Sequence, residues 1–103
     1  MYKIEYLPIA KKDMYDIIYY ISNQLKNPTA AKKLAKKFLD GEKSILSFPY
    51  GVSVYNSRKK LIHEYRNIKV DNFLIFYIIN ENTKTITIVR VLYQKMNINT
   101  ILE

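Results

Sequence analysis

The sequence predicts an α+β fold in the order β-α-α-β-β-β, with an N-terminal strand and a helical hairpin packed on a mainly antiparallel four-stranded sheet. Two observations predict it. The first half of the chain contains two stretches with apolar residues at three- and four-residue spacing, which is typical of amphipathic helices. The second half contains three strand-like apolar stretches. Because neither helices nor sheet can bury an apolar face alone, the helices are expected to cover one face of the sheet.

The first strand is predicted at residues 2–6, where apolar and polar residues alternate. Pro8 then suits the first turn of a helix, because its missing N–H would have no partner there. This first helix is expected to run to about Lys26. Its apolar stripe comprises Ala10, Met14, Ile17, Ile21 and Leu25, widened by Tyr15 and Ile18.

The second helix is expected to follow a break at Asn27-Pro28-Thr29, where Asn27 or Thr29 can cap it. It should end before Phe48-Pro49, because a proline disfavours helical geometry at the preceding residue. Gly41 is a weak point that costs about 1 kcal/mol relative to Ala. The predicted apolar side consists of Ala31, Leu34, Ala35, Phe38, Leu39, Ile45 and Leu46, and the other side carries mostly Lys32, Lys33, Lys36, Lys37 and Lys43.

A connecting loop is predicted at residues 50–58. Three strands follow, at residues 60–66, 72–79 and 84–93. The middle strand is almost continuously apolar, as expected for a central strand covered on both sides. A turn is predicted at Asn80-Glu81-Asn82, because Asn tolerates positive φ. In the last strand, Ile86 and Ile88 are expected on the face opposite Val89 and Val91.

Length and composition limit the classes of function. With 103 residues, of which 49% are hydrophobic, the chain is expected to form one domain, residues 1–103. It has no cysteine, which excludes disulfides, thiolate metal sites and a cysteine nucleophile. Paired carboxylates and metal-ligand spacings are also absent from the sequence, so we expect no cofactor and no metal. The longest apolar run, Phe73 to Ile79, is too short for a membrane span, and we expect a cytoplasmic protein.

The charge of the protein is +8, and two segments hold all of this excess. Residues 26–43 contribute a net +4, and residues 58–69 contribute the other +4. A clustered excess on a small domain suggests a polyanionic partner, either nucleic acid or an acidic protein. The alternative is a lysine face that only keeps the protein soluble.

Short phrases occur in a characteristic order along nearly the whole chain: Tyr6 to Ala10 (YLPIA), Asp13, Ile17, Tyr20-Ile21, Asn27-Pro28 with Ala30-Ala31, Leu46 to Pro49, Glu64-Tyr65-Arg66, Asn72 to Tyr77 (NFLIFY) and Ile88 to Tyr93 (IVRVLY). Together with the order of elements, they resemble the RelE/ParE superfamily of toxins from type II toxin–antitoxin systems. Each phrase is weak alone, and the specificity lies in the ordered set. The long helical hairpin is more similar to the ParE branch.

The resemblance implies a cytoplasmic, growth-inhibiting toxin held by a cognate acidic antitoxin, of the kind that serves in plasmid stabilization. The ParE branch poisons DNA gyrase, and the RelE branch cleaves mRNA on the ribosome. No membrane partner is implied. A toxin free of its antitoxin is expected to form a homodimer, because large apolar patches rarely stay exposed. The tail from Met96 is expected to pack beside the sheet or to contact the antitoxin.

RNA cleavage needs a base, an acid and cations that stabilise the phosphorane. The RelE branch uses lysines on the first strand after the helices, arginines on the next two, and a C-terminal Tyr. The resemblance places the catalytic candidates Lys60 and His63, with Lys59 beside them, and leaves Lys95 for the last strand. Arg66, Arg90 and Tyr93 are further candidates from their own positions: Arg66 could contact nucleic acid, Arg90 could line a groove, and Tyr93 could stack on a base. Leu74 and Gln94 stand where that branch has arginines, and residues 96–103 contain neither Tyr nor His.

These departures favour ParE-like inhibition of DNA gyrase. RelE-like, ribosome-dependent mRNA cleavage is the alternative, as is a toxin-like binding module without toxicity.

Structural roles are also possible for the candidate residues. Arg66 could pair with Glu64 or Asp71, and Arg90 in mid-strand must reach solvent or a carboxylate, because an unpaired buried charge is costly. His63 could be a hydrogen-bonded structural residue, and Tyr93 could serve packing.

Overall fold

The computed structural model describes residues 1–57 and 60–102. Its strands are β1 (Lys3–Tyr6), β2 (Arg66–Val70), β3 (Phe73–Asn80) and β4 (Thr85–Tyr93). Its helices are α1 (Pro8–Tyr19), α2 (Pro28–Ser47) and the short α3 (Ile98–Ile101). A π-helical turn, Tyr20–Gln24, extends α1. The predicted α+β class is confirmed, and α3 is an addition in the tail.

The four strands form one sheet in the order β1-β4-β3-β2. β1 runs parallel to β4, and the two other pairs are antiparallel, as the mainly antiparallel prediction requires. β3 lies between β4 and β2, which confirms it as a central strand. No local pattern indicates that the N-terminal strand lies beside the last one, because this pairing joins the two ends of the chain.

The helical hairpin begins and ends at the predicted residues. Pro8 and Pro28 open the two helices, and the Asn27 side chain accepts a hydrogen bond of 3.1 Å from the Ala30 amide. Asn27 is therefore the cap. Lys26 ends the first helical segment with a φ of 51°, in the left-handed region. α2 ends at Ser47, just before Phe48-Pro49.

The prediction of a strand at residues 60–66 is wrong. Residues 60–65 are irregular, and the strand instead covers Arg66–Val70. The alternation of apolar and polar residues could not distinguish these two ranges. Tyr65 is buried on one side of the sheet, whereas Ile68 and Val70 pack against α2 on the other. Lys59, the candidate beside Lys60, lies outside the described residues.

Both faces of the sheet are covered. On one face the helices and strands share the helix-side core, which comprises Ala10, Leu34, Phe38, Ile45, Val70, Ile75, Tyr77, Ile86, Ile88 and Val91. On the other face, the loop before β2 and the tail enclose the far-side core, which comprises Tyr65, Phe76, Val89, Leu92, Ile98 and Leu102. The tail therefore packs on the sheet, as one of its two predicted roles requires.

A β-bulge corrects the predicted facing of β4. Phe76 pairs with Arg90 and Tyr77 pairs with Ile88, which leaves Val89 as the extra residue. A bulge shifts the alternation of side chains by one position. Val91 consequently joins Ile88 in the helix-side core, and its predicted placement on the face of Val89 is wrong.

Further positions differ from the predictions, among them Tyr15 and Leu25 of the first apolar stripe, which are 65% and 56% exposed. In the β3–β4 turn, positive φ falls on Lys84 (53°), while the Asn80 side chain accepts a hydrogen bond from the Thr83 amide. Leu39 and Leu46 are predicted on the buried side of α2, but they are 56% and 37% exposed. Both lie at the margin of the apolar stripe, and only the residues near its centre are covered by the sheet.

Candidate functional site

Arg90 is held at the edge of the sheet by Asp13 of α1. β1 ends at Tyr6, opposite Ile88, so the following part of β4 has no strand beside it. The Asp13 carboxylate takes that place. It accepts hydrogen bonds from Arg90 Nε (2.8 Å), Arg90 Nη2 (3.0 Å) and the Val91 amide (3.0 Å). The expectation that Arg90 reaches a carboxylate is therefore confirmed.

Sequence reasoning missed Asp13 as this partner, although a signal was present. Asp13 lies three residues after the buried Ala10 and four before Ile17, so the helical period places it on the sheet-facing side of α1. A carboxylate on that side needs a buried donor. Arg90, the one charged residue within β4, was the natural candidate.

Arg90 also lines an open groove on the far side of the sheet, which we call the sheet groove. Its volume is about 440 Å³. Apolar residues dominate its walls, among them Leu7, Ile9, Ile62 and Val89, with His63 and Tyr65 beside them. The His63 and Tyr65 rings meet edge to face at 6.0 Å. The sheet groove thus brings two catalytic candidates, His63 and Arg90, to one place.

Arg66 takes part in a different network. Its Nε donates to the Val52 carbonyl (3.1 Å), and its guanidinium lies 4.8 Å from the centre of the Tyr50 ring. Asp71, one of the two acidic partners considered for Arg66, is instead bound by Lys37 at 3.0 Å. The loop after α2 offers Arg66 a carbonyl and an aromatic face at closer range.

The Tyr50 hydroxyl continues this network to Glu81 in the β3–β4 turn. The Tyr50 hydroxyl donates to the Glu81 carboxylate at 2.6 Å, and the Tyr2 hydroxyl donates to it at 2.8 Å. Lys84 forms an ion pair with the same carboxylate. The bonds from Lys84, Tyr50 and Tyr2 lower the pKa of Glu81 to about 2. The bond to Glu81 raises the pKa of Tyr50 to about 12. The network ties the loop after α2 to the start of β1 and to the β3–β4 turn.

The two strand arginines arise from opposite faces of the sheet. Arg66 pairs with Tyr77, whose side chain lies in the helix-side core. Arg90 pairs with Phe76, whose side chain lies in the far-side core. Directly paired residues share a face, and neighbours along a strand do not. Arg66 and Arg90 therefore line different depressions, which adjoin at His63.

The other candidates are also dispersed. Lys60 is exposed in the irregular segment, and Lys95 is exposed just after β4. Tyr93, at the end of β4, packs edge to face with Phe73 at 5.9 Å. It lines a second depression, which we call the helix groove, of about 630 Å³. The helix groove is formed by Asp16, Ile17, Tyr20, Ile21, Leu25, Phe73 and Tyr93.

Residues 4–98 match the family described as the ParE toxin of type II toxin–antitoxin systems, parDE. The chain belongs to the ParE toxin family. No curated protein sequence matches it. Its fold is similar to that in the chromosomal ParDE toxin–antitoxin system from P. aeruginosa, with a TM-score of 0.67 and 18% identity over 90% of this chain and 96% of that one.

The fold is also similar to that of a chain in the RelBE2 toxin–antitoxin complex from Mycobacterium tuberculosis. That match has a TM-score of 0.58 and 15% identity, and it covers 89% of this chain and 96% of the other. At these identities the two structures support the fold. The family assignment itself rests on the sequence match, which spans nearly the whole chain.

Two residues of this ParE-family toxin stand where the nuclease branch is expected to have arginines. Leu74 packs against the far-side core. The Gln94 side chain donates to Asn72 at 3.3 Å, and its amide donates to the Asn72 carbonyl at 2.9 Å. Both positions therefore serve packing or turn geometry, and neither supplies a cation.

Within residues 1–57 and 60–102, no group of three His, Asp or Glu side chains is placed to hold a metal ion. Across the same residues, every helix is too short or too polar to cross a bilayer.

Proposed function

We propose that this protein is a growth-inhibiting toxin that acts on DNA gyrase and is neutralised by a cognate acidic antitoxin. The observation that carries the choice of target is the placement of Arg66 and Arg90 on opposite faces of the sheet, each with a partner inside the chain. A RelE-type nuclease needs cations that converge on one phosphate. A protein that acts by binding its target has no such requirement.

The antitoxin is proposed from surface chemistry. The charge of +8 favours an acidic partner, because complementary charge raises the rate and specificity of association. Apolar side chains line the helix groove, and Tyr20 and Leu25 there are 50% and 56% exposed. A partner with acidic and apolar residues would cover both features. The related mycobacterial structure is itself a toxin–antitoxin complex.

Ribosome-dependent mRNA cleavage is the second candidate. His63, Tyr65 and Arg90 share the sheet groove, which places an imidazole, a phenol and a guanidinium on one surface. Such a set contains groups that can serve as base, acid and cation. Against it, Asp13 already neutralises Arg90 through two hydrogen bonds. A phosphate would have to compete with a carboxylate held in place by α1.

The remaining expectations follow from the same proposal. Residues 1–103 act as one toxin domain in the cytoplasm, where gyrase and ribosomes are found. In the absence of antitoxin, two copies associate through exposed apolar surface such as the helix groove. Sedimentation of the purified toxin with and without antitoxin measures this association, and a monomer at micromolar concentration would contradict it.

Controlled expression of the gene in bacteria tests the proposal. Growth should stop after induction, co-expression of an acidic protein encoded beside the gene should restore it, and plasmids should lose negative supercoils early in the arrest. The variant Lys60→Ala/Lys95→Ala is the matched control, since both side chains are exposed and both are nuclease candidates. It should arrest growth as the parent does. Early mRNA cleavage by the parent that this variant lacks would favour the second candidate.

A further inference from the structure

The solvent-exposed side of α2 carries a row of lysines. Lys32, Lys36 and Lys43 are all exposed. At about 100° per residue they fall within roughly 40° of one another around the helix, and they span about 16 Å along it. The buried residues of α2 lie on the opposite side: Ala31, Leu34, Phe38, Gly41 and Ile45. We call the three lysines the lysine ridge.

The acidic residues of α2 reduce the positive potential at the lysine ridge only slightly. Asp40 lies on its flank, 3.4 Å from Lys36 in an exposed i,i+4 pair, and such pairs contribute little in water. Lys33 adds a positive charge on the same flank. Glu42 lies toward α1, beside Tyr6 and Met14, where burial raises the pKa of its carboxyl. The field above the helix is therefore positive along its length.

The composition of the ridge indicates the chemistry of its partner. Protein–protein contacts are enriched in aromatic residues, Met and Arg, and depleted in Lys. The three charged side chains of the ridge are all lysines, and the exposed apolar side chain beside them is Leu39, which is 56% exposed. Single-stranded nucleic acid is usually held by aromatic stacking platforms, and none lies among the three lysines. The exposed aromatic residues nearest in sequence, Phe48 and Tyr50, follow the C-terminal end of α2, and Tyr20 belongs to the π-helical turn after α1. A straight row of point charges instead suits a stiff, regularly charged backbone, which carries about one charge per 1.7 Å in duplex DNA.

We propose that the lysine ridge of α2 binds the phosphate backbone of double-stranded DNA without reading its sequence. Lysine suits this role because it contacts a phosphate as a point charge and needs no fixed geometry. The ridge is separate from both grooves, so it can hold DNA while either groove is occupied. This binding does not depend on gyrase inhibition, since it can be measured with DNA alone.

The test is the salt dependence of binding to a mixed-sequence DNA duplex of about three helical turns, measured by fluorescence anisotropy. The ridge variant is Lys32→Gln/Lys36→Gln/Lys43→Gln. The control variant is Lys3→Gln/Lys12→Gln/Lys84→Gln, whose lysines are exposed on β1, α1 and the β3–β4 turn. Both variants lose the same charge. Circular dichroism verifies that each one is folded.

The slope of log K against log salt should become shallower by about 2.7 in the ridge variant, which is close to 0.9 for each phosphate that a lysine no longer neutralises. The control variant should change the slope by less than about 0.9. Equal changes in the two variants would overturn the proposal, because net charge alone would then explain binding. Polyglutamate is the second probe. A ridge variant that failed to bind polyglutamate but still bound DNA would indicate an acidic protein as the partner and would also overturn the proposal.

Discussion

The Asp13 carboxylate on α1 holds Arg90 on β4 with hydrogen bonds of 2.8 and 3.0 Å. The side chains of Arg90 and Asp13 are only 22% and 15% exposed. Removing one partner of such a pair leaves the other charge poorly solvated. We expect Asp13→Asn to lower the free energy of unfolding by about 2 to 3 kcal/mol, measured by urea denaturation, because the Val91 amide also loses a strong acceptor.

The matched control is the pair of Lys12 and Asp16, which lie on the exposed side of the same helix and are 72% and 54% exposed. Asp16→Asn should leave the urea midpoint unchanged within error, since exposed ion pairs contribute little. A double-mutant cycle of Asp13→Asn with Arg90→Gln should show a coupling of at least about 1 kcal/mol. Additive effects would mean that the two side chains do not act as a pair.

At Gly41, α2 packs closely against β2. A Cβ atom at this position would lie 3.0 Å from Ile68 Cδ1 and 3.1 Å from Val70 Cγ2. The substitution Gly41→Ala gains about 1 kcal/mol of helix propensity but crowds two core side chains, which typically costs about 1 to 3 kcal/mol. We expect a net loss of about 1 kcal/mol in the free energy of unfolding.

Two comparison variants separate the gain in helix propensity at Gly41 from the cost of crowding the core side chains there. Ser44→Ala, at an exposed position of the same helix, should be neutral or slightly stabilising, by about 0.5 kcal/mol. In an Ile68→Val background the nearest atom is absent, so Gly41→Ala should then be less harmful than in the parent. If Gly41→Ala stabilised the parent protein, the close packing of α2 on β2 would not constrain this position.

Glu81 makes stability sensitive to acid. Its pKa is lowered to about 2 by the bonds from Lys84, Tyr50 and Tyr2. A carboxyl whose pKa is depressed on folding stabilises the protein above its ordinary pKa, near 4.5, and this stabilisation is lost as the pH falls from there toward 2. We expect the melting temperature to fall over that window by less in Glu81→Gln than in the parent.

The same network also makes the stability of the protein sensitive to alkaline pH, where stability falls as the pH rises. The pKa of Tyr50 is raised to about 12, so its neutral form is favoured by folding, and stability is lost as the pH rises from 10 toward 12. Glu81→Gln should also reduce the loss of stability at alkaline pH, because the hydrogen bond to Glu81 is the main cause of the raised pKa of Tyr50. Identical profiles for parent and variant on both limbs would show that Glu81 does not hold the two tyrosines.

Local patterns predicted the helices well. Pro8, the Asn27 cap and the Phe48-Pro49 stop act through neighbouring residues, so their effects are readable in a short stretch of sequence. The misplaced strand at 60–66 and the wrong facing of Val91 have a different cause. Both depend on how separate segments meet, the first through burial of Tyr65 beneath the tail and the second through the bulge at Val89.

The site residues were predicted by type but not by arrangement. Arg90 was expected to reach a carboxylate, and it does, yet Asp13 lies 77 residues away in sequence. The face of each arginine follows from strand register, and the register became visible only with the bulge. The helix groove was missed for a similar reason, since it joins α1 and its π-helical turn to Phe73 and Tyr93.

The most direct test of the gyrase proposal is a supercoiling assay with purified DNA gyrase, relaxed plasmid, ATP and this protein. We expect supercoiling to fall with increasing toxin, with broken or relaxed plasmid accumulating, and to recover when antitoxin is added first. Ribosomes programmed with mRNA should leave the message intact at the same toxin concentrations. Unimpaired supercoiling together with cleaved mRNA would contradict the proposal, and loss of that cleavage in Arg66→Ala or Lys95→Ala would identify the protein as a nuclease.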